Sequence, residues 1–265
     1  AAVMDAGLPG VRVLARHGAG MDGIDVDAAR ARGLAVTRAA GANSRSVAEH
    51  AMALMLAALK DLPEVQRGMA DGAWEKTSRM TRDIEGLTLA VVGHGAIGSK
   101  VARMAAAFGM RVRAFDPLLP AGPLAGPAER ADTLHDALRG AEVLSLHCPL
   151  DATTRGMVGA AELALLAPGA VLVHTARGGI VEEGAILAAL ASCQLAWAGL
   201  DVFATDSPLR RHPRVIATPH LAANTPRGAV AMSTGAAESI VAMLAGREPA
   251  LPGAVVVAPA AALAA

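Results

Sequence analysis

The 265 residues are 53% hydrophobic and carry 24 basic against 24 acidic side chains, a formal net charge of +0. That length favours about two domains, and a balanced charge without a basic stripe excludes the electrostatic footprint of a nucleic-acid binder. No membrane span is expected, because Lys60 closes the apolar run 51–59 and Pro168 with Gly169 interrupts 163–173, well short of ~18 unbroken apolar residues.

In chain order, "VRVLARHG" (11–18) and "LAVT" (34–37) predict strands of a small layer. "GANSRSVAEHAMALMLAALKDL" (41–62) then predicts a long helix. Ser46 and Glu49 stand in capping-box spacing, and Val47, Ala51, Leu54, Met55, Ala58 and Leu62 follow the helical period. From Leu87 onward strands and helices alternate. Strands are predicted at 87–93, 111–116, 143–149, 170–176, 195–203 and 214–220, with helices at 99–108, 131–138, 160–166 and 181–191 and a Pro/Gly-rich loop at 117–127. Strict alternation implies a mostly parallel sheet with helices on both faces. The tail predicts a helix at 226–244 and a lone strand, "AVVV". This strand and the N-terminal fragment lack sheets of their own, so they are expected to meet in one discontinuous small domain. Aromatic residues are only 2% and Tyr is absent, so the core must be built from Ala, Val, Leu and Met.

"VVGHGAIG" sets Gly93, Gly95 and Gly98 in G-x-G-x-x-G spacing between a strand and a helix. That arrangement suits a tight turn, backbone approach to a pyrophosphate, and close helix–strand packing, with the helix N-terminus offering free N–H groups. The pattern is common by itself. Its context is more specific: Asp116 ends the next strand, 116 − 98 = 18 residues past the last glycine, where a carboxylate accepts from a ribose 2′-OH. Asp116 could instead start a turn before Pro117. Read as a ribose ligand, it would repel a 2′-phosphate, so NAD is favoured over NADP.

Hydride transfer to a keto acid needs a cation for the substrate carboxylate, a proton donor at the carbonyl oxygen and, usually, a carboxylate that keeps the donor charged. Three candidates lie just past late strands, where ligands bind in open α/β sheets. They are Arg177 in "HTARGG", the acidic turn of Asp201 and Asp206 in "GLDVFATDSP", and His220 in "TPH". Arginine grips carboxylates bidentately, and imidazole titrates near neutrality. Each has a bland alternative: a helix cap, a solvated acid, a core histidine.

The segments "RHGAGMDGIDVDAARARGLAVT", "GANSRSVAEHAMALML", "VVGHGAIGSKVARMAAAFGMRV", "HCPLDATTRGMV", "LAPGAVLVHTARGGIVEE", "AGLDVF" and "TPHLAANT" resemble, in order and over nearly the whole chain, the D-isomer-specific 2-hydroxyacid dehydrogenases. Phosphoglycerate dehydrogenases and glyoxylate/hydroxypyruvate reductases belong to that family. The resemblance implies an α/β fold: a Rossmann doubly wound parallel sheet at 43–225 binding NAD, and a flavodoxin-like substrate domain from 1–42 and 226–265. It implies Arg177 as the substrate-orienting arginine, His220 as acid/base, Asp206 as the partner of that histidine, and Asp201 as a nicotinamide-carboxamide acceptor. It brings Ala19 and Gly20 in as backbone donors to the substrate carboxylate and Asn43 and Ser44 as hinge residues. Ala96, Ile97, Pro149, Thr154, Thr175, Ala176 and Ala222 join the glycines and Asp116 in the cofactor set. It further implies a 2-keto or 2-hydroxy acid substrate and a homodimer formed through the nucleotide-binding domain, the long helix 46–62 with "GAWEKTSR" after it resembling the dimerisation arm. No metal is implied. Two cysteines and the lack of a basic-then-apolar opening segment fit a cytoplasmic protein.

Four departures stand out. Asp206 occupies a position where the family has Glu, one methylene and roughly 1.5 Å shorter in reach. His174 and Arg38 each replace an Asn. The family's opening strand and helix units have no counterpart before "VRVLARHG"; since a βαβ unit needs 30 or more residues, on the order of 50 are expected to be missing from the substrate domain. The rival reading is therefore a catalytically weak or inactive NAD(H)-sensing protein of the same fold. A methyltransferase shares the glycine loop and ribose acid but has no use for Arg177 and the Pro–His pair.

Overall fold

The structure, a computed structural model, describes residues 2–7 and 10–258. Residues 1, 8, 9 and 259–265, which the expected substrate domain includes, lie outside the described residues. The chain divides into two compact units, 1–46 with 223–265 and 47–222.

In the larger unit, β3 (Thr88–Val92), β4 (Arg111–Phe115), β5 (Glu129–Arg130), β6 (Val143–Leu146), β7 (Ala170–His174), β8 (Leu195–Leu200) and β9 (Val215–Ala217) form one parallel sheet in the order β5-β4-β3-β6-β7-β8-β9. The chain runs outward from β3 to β5, then returns to β6 beside β3 and runs the other way. That reversal opens a crevice at the carboxyl ends of β3 and β6. β3, β6 and β7 are buried along their whole length, as expected of strands covered on both sides. Alternate residues serve the two faces. Leu89 and Val91 pack with α3 (Ser44–Leu59) and α5 (Gly98–Ala107), whereas Ala90 and Val92 pack with α6 (Leu134–Leu138), α7 (Ala160–Ala164) and α8 (Glu183–Ala191). The two-residue β5 is too short for any periodic signal, and the sequence reading misses it.

The long helix differs from its expected course at both ends. It starts at Ser44, so Ser46 lies inside it, and the Ser46 hydroxyl bonds Thr225 Oγ1 (2.8 Å) rather than capping. It breaks at Asp61, whose φ of 53° is left-handed, and α4 (Leu62–Ala70) restarts with Pro63 in its first turn. The apolar period runs through this break, but a proline ring clashes with the carbonyl four residues back and cannot continue a helix.

In the smaller unit, β1 (Val13–Arg16) lies parallel to β2 (Ala35–Arg38), and β10 (Val255–Val257) pairs antiparallel with β2. The tail strand thus shares a sheet with the N-terminal strands. Around it lie α1 (Ala2–Gly7), α2 (Val26–Ala31), capped by Asp25, and α9 (Pro226–Leu244), capped by Thr225. Arg38 has a structural task here: its Nε donates to the Gly253 carbonyl (3.1 Å), holding the turn before β10. Among the described residues no helix is long and apolar enough to cross a membrane.

Candidate functional site

Parallel strands place all their carboxyl ends at one edge, so the turns after β3, β4, β6, β7, β8 and β9 gather there. After β3, Gly93 adopts a φ of +88° that L side chains avoid, and its N–H donates to Phe115 O (2.8 Å). A Cβ at Gly98 would stand 1.9 Å from Gly93 O, so the start of α5 crosses the turn at backbone contact. A Cβ at Gly95 would meet nothing within 4 Å. The backbone is open at that point, and Ile97 leaves the first N–H groups of α5 without a side-chain cap. A dinucleotide pyrophosphate fits this cradle: open backbone, uncapped amides and a positive dipole end.

Asp116 accepts from the amides of His94 (2.9 Å) and Leu118 (3.0 Å). Two amide bonds leave acceptor positions on the carboxylate for ribose hydroxyls. His94, Gly95, Ala96 and Ser99 face residues 119–125 across a cleft of about 410 Å³. Ala96 is exposed beside that cleft, and Ile97 packs into the core under it.

After β6, the turn 149–154 is tied by Asp151, whose side chain accepts from the amides of Thr153 (2.8 Å) and Thr154 (3.1 Å), while Thr154 Oγ1 donates to Pro149 O (2.7 Å). The bonds from Thr153 and Thr154 hold the Asp151 carboxyl below its ordinary value. Burial pushes the Cys148 thiol up to about 11, so it stays protonated and unreactive.

After β7, Thr175 and Ala176 are buried and Arg177 is half-buried, its Nη1 donating to Ala176 O (2.7 Å). His174 Nε2 lies 2.8 Å from Arg177 O. A carbonyl only accepts, so Nε2 carries the proton, and Nδ1 is buried with no hydrogen-bond partner among the described residues. His174 has no task evident from the sequence; in the fold it braces the backbone of the arginine. Burial holds His174 down to about 4 and His147 to about 3, so both rings are neutral at pH 7.

After β8, Asp201 and Asp206 differ in kind. Asp201 is 1% exposed. Its Oδ1 accepts from Thr218 Oγ1 (2.5 Å) and Leu221 N (2.9 Å), and its Oδ2 from Ala222 N (3.0 Å). The carboxylate thus faces the turn after β9 in addition to any cofactor role. Asp206 is exposed, one residue before Ser207 caps the short 3₁₀ turn Pro208–Arg211. Among the described residues no hydrogen bond or ion pair joins Asp206 to His220. After β9, His220 is exposed on a left-handed backbone (φ 54°), and its N–H donates to Asp201 O and Thr218 O, both at 3.0 Å. His50 of α3 also reaches this turn, a contact the sequence reading missed although a histidine on an apolar helix face was the available signal. Ala19 and Gly20 lie on the smaller unit, where Arg16 Nε donates to Gly20 O (3.1 Å). Asn43 and Ser44 stand just before the boundary of the units at 46, and the Ser44 hydroxyl donates to Gly41 O (2.7 Å). No metal-ligating cluster occurs among the described residues.

The chain is 40% identical over 245 residues to D-3-phosphoglycerate dehydrogenase of Mycobacterium tuberculosis, covering 91% of this chain and 46% of that protein. It is 38% identical over 222 residues to hydroxypyruvate reductase of Thermotoga maritima, covering 81% of this chain and 72% of the relative. Among solved structures it is similar to D-lactate dehydrogenase of Aquifex aeolicus complexed with NAD and lactic acid, with a TM-score of 0.84 and 28% identity over 98% of this chain and 84% of that one. The chain spans under half the length of the phosphoglycerate dehydrogenases it matches. The profile of the D-isomer specific 2-hydroxyacid dehydrogenase NAD-binding domain matches residues 52–222, the glycine turn, Asp116, Arg177 and His220 included. The chain belongs to the D-isomer specific 2-hydroxyacid dehydrogenases, and its larger unit is that family's NAD-binding domain.

Proposed function

We propose that the protein reduces a 2-keto acid to the D-2-hydroxy acid with NADH, or runs the reverse oxidation. The observation that carries this reading is the placement of Arg177 and His220 just beyond β7 and β9, at the same sheet edge as the glycine turn. Bound NADH supplies a hydride to C2 of the substrate. Arg177 holds the substrate carboxylate and polarises the carbonyl, a planar guanidinium suiting both. His220 gives its ring proton to the carbonyl oxygen as that oxygen takes up the electron pair of the C=O bond. Asp206 stabilises the protonated ring from the adjoining turn, across a wider gap than a glutamate there would leave, its side chain being one methylene shorter. Asp201 keeps one of about four acceptor positions for a carboxamide N–H after its three donors are counted.

The test is NADH oxidation with hydroxypyruvate, glyoxylate, pyruvate and 3-phosphohydroxypyruvate, for the wild type and His220→Asn. Turnover of at least one acid, lost in the variant with NADH affinity retained, supports the reading. NADH binding without turnover of any acid favours a nucleotide sensor. The same reading includes a homodimer through the long helix 46–62 and the segment after it, where Leu62 (53%), Met69 (49%), Trp74 (78%) and Met80 (93%) are exposed. Apolar surface of that kind marks association sites, and sedimentation of the wild type against Trp74→Glu tests it. Free Cys148 and Cys193 suit the reducing cytoplasm.

A further inference from the structure

We propose that His50 is a positioning residue that fixes the turn carrying His220 through a hydrogen-bonded chain, His50 to Thr218 to Asp201 to the amides of Leu221 and Ala222. Its catalytic meaning rests on the reading of His220 as the acid/base.

The direction of each bond follows from donor and acceptor chemistry. The Asp201 carboxylate only accepts, so the Thr218 hydroxyl spends its single proton on Oδ1 (2.5 Å). Toward His50 Nε2, at 3.0 Å, that hydroxyl offers a lone pair alone, and Nε2 must be the donor. His50 Nε2 stands 3.8 Å from Asp201 Oδ1, too far for a direct hydrogen bond, so it acts through Thr218. At the other end the carboxylate takes the N–H groups of Leu221 and Ala222, and the Asp201 carbonyl takes that of His220.

This bracing has a reason. His220 sits at φ 54°, a region disfavoured for L side chains, and such a backbone persists only when its surroundings over-determine it. A carboxylate that is 1% exposed likewise needs its acceptor positions filled. Helix α3 can reach because β8 carries a glycine where they cross. A Cβ at Gly199 would stand 2.8 Å from Leu54 Cβ, so the Leu54 side chain of the helix rests directly on the strand backbone there. His50 lies one turn before Leu54, and Asp201 lies two residues past Gly199 on the same face of the strand. The pairing is thus built by the packing of α3 on β8.

The test measures hydrogen exchange at the Leu221 and Ala222 amides of the full chain, in parallel with steady-state kinetics. His50→Leu keeps side-chain bulk without a donor; His50→Gln keeps an N–H near the Nε2 position; Thr218→Val removes the link from its other end. Exchange at both amides should speed about tenfold in H50L and T218V, stay within twofold in H50Q, and go no faster in the H50L/T218V double variant than in T218V. In the kinetic arm kcat should fall about tenfold in H50L, with KM and NADH affinity within twofold, and recover in H50Q. Unchanged exchange in H50L, equal behaviour of H50L and H50Q, or additive effects in the double variant overturns the proposal. A wild-type chain that binds NADH but turns over no 2-keto acid overturns the function proposed above, while exchange at Leu221 and Ala222 still decides whether His50 holds the turn.

Discussion

Lowering the pH from 7.5 to 5 should destabilise the larger unit through two histidines that the fold keeps neutral. His174 is 2% exposed at the end of β7, and burial holds it down to about 4 against an ordinary 6.5. His147, just past the adjoining β6, is held to about 3 by burial and by its neighbour His174. A depressed histidine means that the unfolded chain binds a proton the folded chain refuses. The stability this contributes is complete above pH 6.5 and is lost as pH falls toward 4 for His174 and toward 3 for His147. At pH 5 the unfolded state is favoured by about 1.5 pH units per ring, or about 2 kcal/mol each at 1.36 kcal/mol per unit. The two together cost about 4 kcal/mol of a total on the order of 5–15, and lower Tm by about 10 °C for a unit of this size. Urea titrations and thermal melts from pH 8 to pH 5 measure the loss. The His147→Gln/His174→Gln double variant removes both titrations and should flatten the pH dependence by about 4 kcal/mol at pH 5. A double variant with the wild-type slope would mean that His147 and His174 are not the groups responsible.

Three further outcomes are expected. Gly98→Ala places a methyl against Gly93 O, and two backbone segments cannot part as a side chain can; it should cost about 3 kcal/mol of stability and abolish saturable NADH fluorescence titration. Asp116→Ser removes a charge-assisted acceptor worth about 1.5–3 kcal/mol. It should weaken NADH binding at least about tenfold while narrowing the gap to NADPH, and an unchanged ratio of dissociation constants removes Asp116 from the ribose site. Asp206→Glu lengthens the reach toward His220, so the basic limb of the pH–rate profile for keto-acid reduction should move upward; an unchanged profile takes Asp206 out of the mechanism.

The parts of the fold legible in the sequence are those coded locally. The glycine turn, the strands either side of it and Asp116 are announced by spacing and by continuous apolar runs, because β3, β6 and β7 are buried on both faces. The tail helix reads at its observed ends because Thr225 and Pro226 set its start. The break at Asp61 was written in Pro63 but masked by an apolar period that continues through it. The site was less legible, since its bracing is non-local. Asp201 meets Thr218, Leu221 and Ala222 across 17 to 21 residues, and His50 meets Thr218 across 168. No pattern within a helix or strand encodes such contacts. His174 is a different case: its bond to Arg177 O spans three residues, but a histidine and an asparagine meet that carbonyl with different reach, which only coordinates resolve.

The proposed function depends on transfer of a hydride from bound NADH to C2 of a 2-keto acid, with His220 supplying the proton. Incubation with C4-deuterated NADH and the four keto acids, followed by chiral analysis and mass spectrometry of the product, tests it most directly. One deuterium is expected at C2 of the D-2-hydroxy acid, with no product from His220→Asn and a much reduced yield from Arg177→Lys. An L-product, or no deuterium transfer from NADH that is demonstrably bound, would contradict it.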